Sequence, residues 1–163
     1  MKPAAWLKNY NDAHISERAL AWADSFVGEK EQGHNAGPFV TMLLKAVSLP
    51  AGNAWCAAFI SFCLRKAGFN GGPIGFGRAR VKAWADWAFE NDLIRNNPRR
   101  GDLFFWINKN GTGHIGFVLS SRDDLGRFRT LEGNTNPKGS REGDGVYKRD
   151  RGGATIRFIR WYA

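Results

Sequence analysis

The spacing of apolar residues changes once along this chain, at Asp102, and that change limits the folds open to it. Before Asp102 apolar residues recur every three or four positions; after it they come in short aromatic and β-branched runs. Helices followed by strands predict an α+β domain with the two classes segregated. Ile15, Ala19, Leu20, Ala23, Phe26 and Val27 form a first helical stripe, with Ser16 as the expected N-cap and Gly28 as the stop. Pro38 suits a first helical position, and Phe39, Met42, Leu43 and Val47 follow at helical spacing before Pro50. Residues 54–67 are apolar almost all round, which predicts a helix buried on every side. A glycine-rich loop at 71–77 precedes a helix over 78–91. Five strands are expected, at 103–107, 114–120, 127–133, 145–149 and 156–162, with loops at 108–113, 123–126, 134–144 and 150–153.

At 163 residues the chain has the size of one ordinary domain, and 43% hydrophobic with 24% charged residues is a globular composition, not a disordered one. No run approaches the ~20 apolar residues that span a bilayer, and Met1 to Asp12 contains no signal-type apolar stretch. Synthesis and retention in the cytoplasm are therefore expected, unless another agent carries the chain out. The net charge of +9 predicts attraction to anionic polymers. Its basic residues are scattered among acids, and Trp55, Trp84 and Trp106 sit in apolar patterns, so a specific nucleic-acid surface is not expected.

Cys56 and Cys63 are the only cysteines, and both fall in the 54–67 helix. Seven residues of helical rise separate their Cα atoms by ~10 Å, beyond the reach of a disulfide. Cys63, among Ile60, Phe62 and Leu64, reads as a core side chain. Cys56 falls in the first turn, where exposed N–H groups and the helix dipole favour an anion, the setting of a reactive thiolate.

A nucleophilic cysteine needs a base, and the base an orienting group. His14 and His34 lie in polar segments and read as solvated surface residues. His114 follows Gly111-Thr112-Gly113 and opens a strand, which would hold its imidazole fixed yet accessible. On the next strand Glu132 and Asn134 are two residues apart, so alternation directs both to one face, and either could hold the imidazole.

Together these residues resemble the cysteine, histidine-dependent amidohydrolase/peptidase (CHAP) domains of the papain-like NlpC-type superfamily. Trp55-Cys56-Ala57-Ala58-Phe59 is similar to the family's nucleophile motif, Pro98-Arg99-Arg100-Gly101-Asp102 to its lead-in to the first strand, Gly113-His114-Ile115-Gly116 to its histidine strand, and Glu132-Gly133-Asn134 to its closing motif. The likeness runs from about residue 19 to 161, within one domain spanning 1–163. It implies a papain-like α+β fold with N-terminal helices on a five-stranded antiparallel sheet. By resemblance Cys56 is the nucleophile, His114 the base, Glu132 the orienting carboxylate and Asn134 an accessory polar group.

The resemblance further implies a monomeric, endolysin-like hydrolase of peptidoglycan, either an N-acetylmuramoyl-L-alanine amidase or an endopeptidase. It would reach the wall after release through a membrane hole or by injection. The alternatives are an antibacterial effector with the same chemistry and a catalytically silent binding or structural domain of the same fold. Some relatives bind calcium near the nucleophile, but residues 47–53 carry no carboxylate, and Asp12, His14 and Glu17 read as residues around a helix start. No metal or cofactor is expected.

Overall fold

The computed structural model describes residues 1–136, 138 and 143–163; the central part of the expected 134–144 loop lies outside the described residues. Four α-helices, α1 (Ile15–Asp24), α2 (Pro38–Lys45), α3 (Cys56–Lys66) and α4 (Val81–Glu90), precede every strand of the sheet. Its strands are β1 (Ile94–Arg95), β2 (Leu103–Ile107), β3 (Gly113–Val118), β4 (Phe128–Thr135), β5 (Gly145–Arg151) and β6 (Arg157–Ile159), in the order β1-β6-β2-β3-β4-β5 with every pairing antiparallel. The α+β class is as expected, but the sheet has six strands rather than five. The addition, β1, is two residues long and pairs Ile94 with Ile159. So short a strand has no alternation to read; it exists because β6 offers it an edge.

The sheet has two differently covered faces. Leu103, Phe105, Ile115, Phe117 and Leu131 join the main core with α1 to α4, while Phe104, Val118, Phe128, Ile156 and Phe158 form a smaller apolar cluster on the other face. Helix α3 is the centre of the main core: Phe59, Ile60 and Cys63 are fully buried and Leu64 nearly so. Burying side chains of this size contributes roughly 2–3 kcal/mol each, which overrides the modest helix propensity of Phe and Ile. The lead-in to β2 is anchored by Asp102. Its carboxylate is fully buried and accepts from Arg160 Nε (3.0 Å) and Nη2 (2.9 Å), the Tyr162 hydroxyl (2.9 Å) and the Arg99 N–H (2.8 Å).

Several local expectations are corrected: the strand expected at 156–162 is only Arg157–Ile159, and the helix expected from 78 begins at Val81, after a 3-10 turn over Gly75–Ala79. The N-cap of α1 is His14, not Ser16: its Nδ1 accepts from the Ser16 N–H at 3.3 Å and its Nε2 lies 3.0 Å from the Ala163 carbonyl. His14 is thus a capping residue and not merely a solvated one. Strand β5 runs on to Arg151, past the end expected at 149, because Phe128 pairs with Arg151 across the ladder.

Candidate active site

Cys56 is the first residue of α3. The chain turns into the helix through Gly52, which has a φ of 95° that suits glycine, and through an Asn53 side chain donating to the Pro50 carbonyl at 3.0 Å. Trp55 takes the N-cap position without offering a side-chain cap. It is there for packing: the ring is fully buried, meets Phe39 edge-on at 5.8 Å, and its Nε1–H donates to Glu31 at 3.2 Å. The first helical bond is Phe59 N–H to the Trp55 carbonyl, 2.8 Å, so the N–H groups of Cys56, Ala57 and Ala58 fall outside the helical ladder. Cys56 itself is 5% exposed.

His114 stands opposite Trp106 across the β2–β3 ladder and is completely buried. Its Nε2–H donates to Glu132 Oε2 at 2.9 Å, joining adjacent strands. Nδ1 is buried and makes no conventional hydrogen bond; it is the nitrogen left for Cys56. Burial alone would push the imidazole below its ordinary pKa of 6.5. The neighbouring Cys56, and then the Glu132 carboxylate, outweigh that and raise it to about 9.

Glu132 is fully buried and held by more than the histidine. Arg151 grips it with two nitrogens, Nε to Oε1 at 2.8 Å and Nη2 to Oε2, and the Thr130 hydroxyl donates to Oε1. Against the opposing effect of burial, Arg151 and then His114 hold its carboxyl down at about 2. The Arg151 guanidinium also lies 5.0 Å over the Trp106 ring. The spacing of glycines in the histidine strand has a steric cause: a Cβ on Gly116 would stand 2.8 Å from Phe104 Cζ and 2.9 Å from Glu132 Cγ. Only glycine leaves the carboxylate room to cross to His114.

Asn134 does not meet the imidazole. The β4–β5 register shifts between Glu132 and Thr135, and Asn134 has a φ of 57°, so the expected alternation fails there. With its amide oriented to satisfy both ends, Oδ1 accepts from the Trp55 N–H and Nδ2 donates to the Gly143 carbonyl, each at 3.2 Å. Asn134 therefore ties β4 to the residue before the cysteine. Of the four site residues expected from sequence, His114 and Glu132 are hydrogen-bonded, Cys56 acts on the same imidazole electrostatically, and Asn134 braces the residue before Cys56.

Thr130 and Arg151 were not foreseen. Thr130 carried a signal, since it is two residues before Glu132 on the same strand face. Arg151 carried none, because it had been placed in a loop. Cys63 is fully buried, and burial pushes its thiol well above the ordinary value, as befits a core residue. Asp12, His14 and Glu17 do not act as a group: Glu17 pairs with Arg100 at 2.8 Å, whereas His14 caps α1.

A cleft of about 370 Å³ opens beside Cys56, walled by Arg80, Val81 and Lys82 on one side and Gly111, Thr112 and Gly113 on the other. A thiol neighbouring an imidazole whose other nitrogen is held by a carboxylate can support nucleophilic acyl transfer to a substrate lying in this cleft. No curated protein matches the chain. The family model for the CHAP domain matches residues 48–134, a span that holds Cys56, His114, Glu132 and Asn134 and ends before Arg151. That match covers more than half of the chain, and the chain belongs to the CHAP domain family.

Proposed function

We propose that the protein hydrolyses an amide bond of peptidoglycan with Cys56 as nucleophile. CHAP domains in general are amidohydrolases and peptidases that act on peptidoglycan. The observation that carries the proposal is the divided imidazole of His114: Nε2 is committed to Glu132, and the buried Nδ1 is left without a partner other than Cys56.

In the proposed cycle His114 Nδ1 takes the thiol proton and the Cys56 sulfur attacks the substrate carbonyl carbon. The tetrahedral oxyanion is stabilised by N–H groups at the start of α3, which have no helical acceptors. Collapse breaks the C–N bond as His114 protonates the leaving amine, giving a thioester. Water, losing a proton to the same nitrogen, attacks the thioester; the acid is released and the thiol restored. Glu132 stays ionised throughout and holds the ring's orientation, with Arg151 and Thr130 fixing Glu132. Asn134 holds the approach to the nucleophile through Trp55.

Among the described residues no helix is long and apolar enough to cross a membrane. A lysin role fits this chemistry and a charge of +9, which would hold the protein on an anionic envelope. The test is digestion of purified peptidoglycan by wild type and Cys56→Ala, with mass spectrometry of the products. Wild type should release fragments with a new amine and a new carboxyl or lactyl terminus, which also identifies the bond, and Cys56→Ala should release none. Equal digestion by a folded Cys56→Ala protein would overturn the assignment.

A further inference from the structure

Resting on the proposed hydrolase reading, we infer that Arg80 is a specificity residue that binds a free carboxylate of the peptide next to the scissile amide. Arg80 lines the same cleft as Cys56. No Asp or Glu shares that lining, so the cleft presents cationic side chains to its occupant without an internal counter-charge. The second cation, Lys82, is already engaged: its ammonium lies 2.6 Å from the Asp86 carboxylate, one turn along α4. Arg80 is exposed, and neither a hydrogen bond nor an ion pair engages its guanidinium among the described residues.

Its position also runs against helix physics. Arg80 is the N-cap of α4, where Asp, Ser, Thr or Asn would satisfy the free N–H groups; it gives no side-chain cap, and the first turn contains no acid. A cation there faces the positive end of the helix dipole, an arrangement that is locally unfavourable. A local rule broken beside a nucleophile suggests a role in binding. A guanidinium with its planar fork free suits a carboxylate, which it can hold through two parallel N–H···O bonds. Peptidoglycan stems carry such groups: a second residue linked through its side-chain carboxyl leaves its α-carboxyl either free or amidated. The cleft therefore selects the free acid over the amide.

The experiment uses Cys56→Ala as a non-cleaving trap and two soluble disaccharide-peptides that differ only in that α-carboxyl or α-carboxamide. Titration calorimetry should give Cys56→Ala a preference of about tenfold for the free acid, the scale of one charge-assisted contact. Adding Arg80→Ala should reduce the preference to about twofold or less, and adding Arg80→Glu should reverse it. Because Arg80 is exposed, unpaired and set against the dipole of α4, thermal melts of the double variants should lie at or slightly above that of Cys56→Ala. Equal affinity of Cys56→Ala for the two ligands, binding of neither, or a preference that survives Arg80→Ala overturns the inference. Wild-type hydrolysis of intact peptidoglycan, run alongside, reports separately on the hydrolase reading.

Discussion

Replacing Glu132 with Gln keeps the size and planar shape of the side chain and removes its charge, which isolates what the buried carboxylate does for His114. In the wild type the imidazole is raised to about 9 although it is fully buried, with Cys56 and Glu132 both favouring the charged ring. An ionised partner at hydrogen-bond distance is worth about 1–3 pKa units. Glu132→Gln should therefore bring the imidazole down from about 9 to about 8 or lower, and the alkaline limb of kcat/KM, which follows loss of the imidazolium, should move with it. Stability should change as well. Removing the anion leaves the Arg151 guanidinium facing a neutral amide, a change worth on the order of 3 kcal/mol, or roughly 6–12 °C in Tm for a chain of this size.

The pH dependence of that loss has a definite sign. Glu132 is depressed from 4.5 to about 2, so its stabilisation is present above about pH 4.5 and disappears as pH falls toward 2. His114 is raised from 6.5 to about 9, so its stabilisation is present below about pH 6.5 and disappears as pH rises through 9. Wild-type Tm should thus peak near pH 5–6 and fall on both sides, and the Glu132→Gln curve should be flatter. The measurements are the pH profile of kcat/KM, an NMR titration of His114, and Tm against pH. An alkaline limb and a histidine titration that both stay at the wild-type position in the variant would refute the account.

Gly116→Ala should destabilise by about 1–3 kcal/mol in chemical denaturation and lower kcat more than the stability loss explains, because its new methyl meets both Phe104 and Glu132. Asn134→Gly and Asn134→Ala should lose similar activity, since both remove the Trp55 tie, but Ala should be less stable by about a further 1 kcal/mol because it must hold a φ of 57°. Iodoacetamide near neutral pH should label wild type once, at Cys56, and Cys56→Ala not at all, with Cys63 sealed in the core; peptide mapping reads both. Lysis by a protein of charge +9 should slow as ionic strength rises from about 0.01 to 0.15 M, where the screening length shrinks from about 30 to 8 Å; a rate independent of salt would count against charge-held docking.

Sequence patterning singled out Cys56 because both its signals are local: a cysteine at the start of an apolar helix needs no partner to be noticed. It carried His114 and Glu132 because a strand, a short loop and a second strand bring neighbours in sequence together in space. It missed the grip of Arg151 for the opposite reason, since strand alternation ends before that residue and only pairing with Phe128 extends β5 far enough to place it. It misdirected Asn134 because strand periodicity assumes regular backbone, and a single left-handed residue turns the side chain elsewhere. The two-residue β1 left no pattern of its own; it is visible only beside the strand that captures it.

The thiol belongs to a helix and the imidazole to the sheet, and nothing shorter than the docking of one on the other brings them together. An extended or partly folded chain would therefore contain every chemical group of the reaction and perform none of it. On the proposed reading, such a chain gains the pairing of thiol and imidazole only when its core closes, so that the site is a product of the tertiary fold and not of any one segment.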